Sequence, residues 1–113
     1  MTGSCYEKQA AEFLKGKGLE ILEMNFRCRM GEIDLIARDG RYLVFVEVKY
    51  RSTRGQGMAV DAVGKEKQRA ISKVAAYYLL THCKSMDVPC RFDVVGIEGE
   101  EIRWIPNAFD YCL

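Results

Sequence analysis

The sequence predicts an α/β fold in a single domain, with a mixed central sheet flanked by helices. Two strand-like runs lie on either side of Asp39-Gly40, and this pair is a strong signal for a β-hairpin. Apolar residues recur at helical spacing over about 65–83, which indicates an amphipathic helix. A length of 113 residues suffices for one domain with a real core, so residues 1–113 are expected to form one unit.

The chain is expected to begin with a helix and a strand. The helix is predicted over 4–17, because Gly16 and Gly18 are typical of a helix end. The run 19–29 is predicted to be the first strand.

The hairpin is predicted over about 31–50. With Asp39-Gly40 as the turn, Asp34 lies opposite Phe45, and Glu32 lies opposite Glu47. Because side chains alternate along a strand, four charged residues share one face: Glu32, Asp34, Glu47 and Lys49. The other face is expected to be an unbroken apolar surface: Ile33, Leu35, Ala37, Val44, Val46 and Val48. A slip by one residue would move carboxylates into the core, so the register that separates the two faces is favoured.

The second half of the chain is expected to hold a loop, a helix and two strands. The Gly-rich stretch 52–57 is predicted to be a mobile loop, and the helix follows over 65–83. Strands are predicted over 91–97 and 101–105, around a turn at Gly99-Glu100. The complete order is α-β-β-β-α-β-β.

The acids of the hairpin allow two interpretations. Like charges directly opposite each other, as predicted for Glu32 and Glu47, destabilise a sheet unless a cation or a proton intervenes. Carboxylate oxygens suit Mg²⁺ or Mn²⁺, so the cluster is a candidate metal site. A solvated polar face of an antiparallel pair is the simpler interpretation, and the pattern alone leaves both open.

Asp34 with Glu47-Val48-Lys49 resembles the Asp…Glu-x-Lys core of the PD-(D/E)xK, or restriction-endonuclease-like, nucleases. The chain is more closely similar to the YraN-like family of small bacterial proteins, related in fold to archaeal Holliday-junction resolvases. The likeness covers these blocks: Ala10 to Leu14, Asn25 to Arg29, Gly31 to Ile36, Val44 to Ser52, Ala62-Val63, Lys67 to Arg69, Arg91 to Val95, and Pro106 to Phe109. Two positions depart from the family pattern: Ile33 stands where a Pro precedes the first acid, and Tyr6 where a Gly is common.

The resemblance implies a restriction-endonuclease-like sandwich and a Mg²⁺- or Mn²⁺-dependent endonuclease that hydrolyses DNA, with branched or recombination intermediates as the favoured substrate. Asp34, Glu47 and Glu7 would hold the metal, and Lys49 would assist catalysis. A homodimer is expected by analogy with the resolvases. Two alternatives stay open: a non-catalytic nucleic-acid-binding accessory module that keeps the nuclease fold, and a protein-interaction domain with an acidic face.

Glu7 and Glu32 each have a structural alternative. Glu7 lies on the apolar face of the first helix, so it points toward the sheet, but Ser4 and Glu7 also fit a capping box. Glu32 could steer the metal or accept a salt bridge from Arg29.

Nucleic-acid contacts are predicted from the distribution of charge rather than its total. Seventeen basic and sixteen acidic residues give a net charge of +1, which by itself does not indicate a nucleic-acid binder. Basic residues nevertheless flank the acids, so a basic stripe around the site would suit phosphates. The candidate contacts are Arg27, Arg29, Arg51, Arg54 and Gln68, although Gln68 equally suits the boundary of the second helix.

The composition argues against several classes of protein. No stretch has the length and apolar character of a membrane span, and the polar N-terminal residues do not resemble a signal peptide. Five cysteines without a C-x-x-C pair predict neither a zinc site nor a disulfide framework, so a reducing cytoplasm is expected. The single histidine, His82, is expected to be structural.

Overall fold

A computed structural model describes residues 2–51, 63–84 and 87–111. The chain forms these elements in order: α1 (Thr2–Gly16), β1 (Glu20–Cys28), β2 (Gly31–Asp39), β3 (Tyr42–Arg51), α2 (Lys65–Tyr78), β4 (Cys90–Glu98) and β5 (Glu101–Phe109). A π-helical turn, Leu79–Cys83, extends α2. The predicted order of two helices and five strands is confirmed, while the predicted loop at 52–57 lies outside the described residues.

The five strands form one mixed sheet in the order β1-β2-β3-β4-β5. Strands β3 and β4 are parallel, and every other neighbouring pair is antiparallel. A parallel pair needs a crossover connection, and α2 lies in the segment that joins β3 to β4. The predicted α/β fold with a mixed sheet is therefore confirmed. No helix in the described part of the chain is long and apolar enough to cross a membrane.

The core is divided by the sheet into two clusters, one for each helix. The α1 cluster contains Ala10, Ala11, Leu14, Leu19, Leu35, Ala37, Val44, Val46, Val95 and Ile97. The α2 cluster contains Ile33, Ile36, Leu43, Phe45, Ile71, Val74, Ala75, Tyr78, Leu79 and Phe92. Alternate residues of β3 therefore enter opposite clusters, as in sheets that are covered on both faces. The hairpin has no wholly solvated face.

The predicted apolar face of the hairpin is wrong at Ile33. This side chain packs in the α2 cluster, whereas Leu35 packs in the α1 cluster. Regular alternation would place both residues on one face. The backbone departs from regular strand geometry nearby, with φ of 145° at Gly31 and 56° at Asn25 on β1. The first residues of β2 are therefore displaced from the regular pleat at the point where the acids lie.

The predicted hairpin register is also wrong, by two residues. Asp39 pairs with Tyr42, and Gly40-Arg41 forms the turn. Gly40 has a φ of 63°, and glycine at the first central position is typical of a type II′ turn. A shift of two residues leaves each side chain on the same face of the hairpin. The separation of charged from apolar positions is therefore the same in both registers and cannot distinguish them. It moves Asp34 away from Phe45 and toward Glu47, because Leu35 pairs with Val46.

A buried carboxylate joins β4 to β5. Asp93 is fully buried and accepts hydrogen bonds from Arg91 Nε (3.0 Å), Arg91 Nη2 (3.1 Å), Trp104 Nε1 (2.9 Å) and the Asn107 backbone N–H (2.9 Å). Arg91 Nη2 also donates to Asp39 on β2, at 3.0 Å. Because its partners compensate the buried charge, this network is a structural tie among three strands.

Candidate metal centre

The candidate site begins where β2 and β3 stop pairing. Their ladder extends from the turn to Leu35 and Val46. One residue further, Asp34 Oδ2 accepts a hydrogen bond from the Val48 backbone N–H, at 2.8 Å. The carboxylate thus takes the place of a backbone acceptor between the separating strands, which fixes its position.

Three carboxylates converge at this point. Glu7 from α1 and Glu32 and Asp34 from β2 each offer an oxygen atom, and these atoms lie within 4.8 Å of one another. Glu7 is 8% exposed and hydrogen-bonds with Asp34 and with the side chain of Asn25 on β1. Its Oε1 atom is buried and has no hydrogen-bond partner among the residues that the structure describes. A buried oxygen without a donor is costly unless a proton or a cation reaches it.

A fourth carboxylate, Glu47 on β3, lies on the other side of Asp34. Its side chain is buried and hydrogen-bonds with Asp34. Two lysines approach the same oxygen, Glu47 Oε2: Lys49 Nζ at 3.9 Å and Lys67 Nζ at 3.5 Å. Glu47 therefore connects the acidic cluster to two cationic groups.

Burial and mutual repulsion raise the pKa of two of these acids. Burial first, and then the negative charge of Asp34, raise the pKa of Glu7 from 4.5 to about 7. The same two causes raise the pKa of Glu47 to about 7, although Lys67 and Lys49 oppose them. Near neutral pH, these carboxyl groups are therefore partly protonated, and a bound cation would reduce the same repulsion in place of a proton.

The three clustered carboxylates, Glu7, Glu32 and Asp34, fit a hard divalent cation, and Glu47 lies beside them. Mg²⁺ binds oxygen ligands at about 2.1 Å, so opposite ligands of one ion lie about 4 Å apart. The 4.8 Å spread of the cluster needs only small side-chain adjustments to reach this spacing. All the ligand atoms are carboxylate oxygens, which suit Mg²⁺ and Mn²⁺ better than softer metals. Within residues 2–51, 63–84 and 87–111, no hydrogen bond competes for Glu7 Oε1.

The site brings together the four residues proposed from the sequence: Asp34, Glu47, Lys49 and Glu7. Glu32 belongs to the same cluster, since one of its oxygens lies within 4.8 Å of oxygens of Glu7 and Asp34. The capping-box alternative for Glu7 is wrong, because α1 starts at Thr2 and Ser4 therefore lies inside the helix.

Two neighbours of the acids were missed by sequence reasoning. In the sequence, Lys67 and Asn25 both belong to blocks of the family likeness and have no predicted role. No local pattern connects either residue to the acids, because the contacts depend on how α2 and β1 pack. The left-handed backbone of Asn25, with φ of 56°, is a structural sign of an unusual position.

The nucleic-acid candidates have different surroundings. Arg27 is 73% exposed and pairs with Glu32 at 3.6 Å, so it takes the place predicted for Arg29, which lies exposed beyond the end of β1. Gln68 donates to the Val63 carbonyl at 3.1 Å, which is a helix-boundary role. Arg54 lies outside the described residues, and only the backbone of Arg51 is described.

The remaining polar candidates are structural. His82 stacks on Tyr78, with ring centroids 4.3 Å apart, and contacts Phe26 edge to face. Among the residues that the structure describes, the cysteines are free thiols: Cys5, Cys28, Cys83 and Cys90.

A family model described as "Uncharacterised protein family UPF0102" matches residues 6–97. The chain belongs to this family. The matched segment includes the four acids and both lysines of the site. A UPF0102 protein of Lachnoclostridium phytofermentans is 51% identical over 108 residues, covering 96% of this chain and 92% of that protein. The UPF0102 protein YraN of Escherichia coli is 46% identical over 110 residues, covering 96% and 84%. The resemblance to the YraN-like family is thereby confirmed.

Proposed function

We propose that this UPF0102 protein is a metal-dependent endonuclease with a restriction-endonuclease-like fold, and that it hydrolyses phosphodiester bonds of DNA. One observation carries the proposal: the oxygens of Glu7, Glu32 and Asp34 lie within 4.8 Å of one another, beside a buried Glu47 contacted by two lysines. Within the described part of the chain, a purely structural role would leave the buried Oε1 atom of Glu7 without a compensating partner.

The acids would hold one or two Mg²⁺ or Mn²⁺ ions, with Asp34 and Glu47 at the centre and Glu7 and Glu32 completing the ligand set. Bound Mg²⁺ would supply Lewis-acid stabilisation of the phosphate and an acidified water. The protein's own contribution is orientation. The Val48 N–H fixes Asp34, and Asn25 hydrogen-bonds with Glu7.

The lysines would stabilise negative charge that develops on the phosphate. Lys49 and Lys67 both lie beside Glu47 Oε2, and Lys49 is the less exposed, at 28% against 48%. Cationic groups held in place before the reaction stabilise a transition state without further reorganisation. Lys49 would position the attacking water or stabilise the pentacovalent phosphate. Lys67 would stabilise the same negative charge from α2.

DNA with a branch or a recombination junction is the proposed substrate, on the strength of the resolvase resemblance. The exposed Arg27 and Arg29 lie near the acids along β1 and after its end, where they would contact phosphates. A symmetric homodimer would present two such sites to a junction.

The test is cleavage of a labelled panel of single-stranded, duplex, flap and four-way-junction DNA with Mg²⁺ or Mn²⁺. The protein should cut in a metal-dependent way, and Glu47→Gln and Glu7→Gln should each lower the rate at least about a hundredfold. Glu12→Gln is the matched control, because Glu12 lies on α1 with an exposed side chain that pairs only with Lys15 within the described part of the chain. It should cut at an unchanged rate.

The same panel separates the nuclease from the non-catalytic alternative. Binding of DNA without cutting under either metal would overturn hydrolysis and favour the accessory module. In that case Glu47→Gln should bind DNA at least as tightly as the unaltered protein, because it removes a negative charge that repels phosphate.

A further inference from the structure

A stacked pair of tyrosines lies next to the candidate metal centre. Tyr6 directly precedes Glu7 on α1, and Tyr50 directly follows Lys49 on β3. Their ring centroids are 3.6 Å apart and their planes differ by 17°. A side-chain hydrogen bond with Tyr50 is the main reason that the pKa of Tyr6 is raised to about 12. The two rings are thus held together through both their faces and their hydroxyl groups.

The pair presents aromatic surface to solvent. Tyr6 packs against the α1 cluster, whereas Tyr50 is 41% exposed. Tyr6 covers one face of the Tyr50 ring, and Tyr50 still keeps two fifths of its surface exposed. An aromatic ring supported from behind and open in front has the form of a stacking platform.

We propose that Tyr6 and Tyr50 form a platform on which an unpaired nucleobase stacks beside the metal centre. This inference rests on the proposed function and specifies its substrate. Tyr50 lies three residues after Glu47 along β3, a span of about 10 Å, and its ring faces α1, the helix that carries Glu7. The stacked base therefore belongs to a nucleotide close to the scissile phosphate.

The platform selects DNA by structure rather than by sequence. Bases of an intact duplex are stacked on their neighbours, so their faces are not accessible to a side chain. Flaps, junction centres and single strands offer unstacked bases at no or low cost. Every base has an aromatic face, so the preference is independent of base identity. The predicted substrate class is therefore DNA with an unpaired nucleotide beside the cleaved bond.

A purely structural role for the pair makes a different prediction. If Tyr50 only covered the edge of the core, its loss would lower stability and weaken the binding of every substrate alike. Tyr42 provides a matched comparison, because it lies at the other end of β3, is 43% exposed and contacts the Arg91 guanidinium, 5.9 Å from its ring centroid.

The experiment measures binding of flap, single-stranded and blunt duplex DNA by fluorescence anisotropy with Ca²⁺, for the unaltered protein, Tyr50→Ala, Tyr50→Phe and Tyr42→Ala. A 2-aminopurine placed at the first unpaired position of the flap reports stacking, because its fluorescence is quenched when it stacks on an aromatic ring. Tyr50→Ala should weaken flap and single-strand binding by about tenfold or more and abolish the quenching, with duplex binding unchanged. Tyr50→Phe should keep both signals, and Tyr42→Ala should match the unaltered protein.

The outcomes separate this inference from the proposed hydrolysis. If the protein cuts DNA with Mg²⁺ but Tyr50→Ala binds every substrate as before, or weakens all of them equally, the platform is wrong and the nuclease stands. If Tyr50-dependent quenching occurs without cutting, the platform stands and hydrolysis is wrong. Absence of DNA binding by the unaltered protein overturns both.

Discussion

At the scale of single residues, the main feature is that the pKa values of two carboxyl groups are raised to near neutral pH. Glu7 and Glu47 are nearly buried and both neighbour Asp34, so each is easier to protonate than a carboxyl in water. Perturbed carboxyls that adjoin one another in this way are typical of functional sites. Their protonation links the stability of the fold to the occupancy of the site.

Stability of the metal-free protein should decrease as the pH rises from about 4.5 to about 7. The folded protein keeps protons on Glu7 and Glu47 up to pH about 7, while the unfolded chain loses them near 4.5, so unfolding releases protons within this window. The full effect is about 3 kcal/mol for either group, and the two effects are not additive because both groups respond to Asp34. Thermal unfolding in a pH series measures the slope.

Magnesium should reverse this loss, because its ligands must be deprotonated. The rise in melting temperature on adding Mg²⁺ should therefore be larger at pH 8 than at pH 5. Glu7→Gln should flatten the pH slope and reduce the Mg²⁺ effect, while Glu12→Gln should change neither. An identical slope in Glu7→Gln and the unaltered protein would contradict the assignment of the raised pKa to Glu7.

At the scale of elements, the site depends on contributions from opposite sides of the sheet. The α1 cluster positions Glu7, whereas α2 packs on the other face and brings Lys67 to Glu47. The separating ends of β2 and β3 leave the space in which these side chains meet. Lys67 lies in the first turn of α2, where the helix dipole adds to its positive charge.

Lys67→Ala should reduce cleavage by about tenfold to a hundredfold through kcat, because a cation near the developing charge is removed while Lys49 remains. Its effect on stability should be below about 1 kcal/mol, since Lys67 is half exposed. Lys65→Ala removes the same charge from the same exposed helix turn and should leave kcat unchanged. Equal losses in both variants would show that only the overall charge matters.

At the scale of the whole molecule, the Asp93 network holds the far side of the sheet together. Asp93→Ala removes the acceptor for Arg91, Trp104 and the Asn107 N–H. Of the two carboxylates that the partly buried Arg91 guanidinium contacts in the described structure, only Asp39 would remain. The expected cost is about 3–5 kcal/mol in the free energy of unfolding. Denaturant unfolding compared with Asp110→Ala, an exposed site nearby, measures it. A cost below about 1 kcal/mol would contradict a structural role.

Local patterns determined which elements form and in which order. Helical spacing over 65–83 and alternation on either side of Asp39-Gly40 depend on residues close together in the chain, so the helices and strands followed from them. The sequence also predicts that Asp34, Glu47 and Lys49 lie together, although it predicts the wrong strand pairing, because a two-residue change of register preserves the face on which a side chain lies.

Only the tertiary structure decided how close the acids lie and what surrounds them. The type II′ position of Gly40 set the register, the irregular backbone at Gly31 and Asn25 displaced Ile33, and the packing of α2 brought Lys67 to Glu47. None of these contacts joins neighbours in sequence. The residue types of the site were therefore determined by the sequence itself, whereas its geometry arises from helices and strands that meet only in the folded chain.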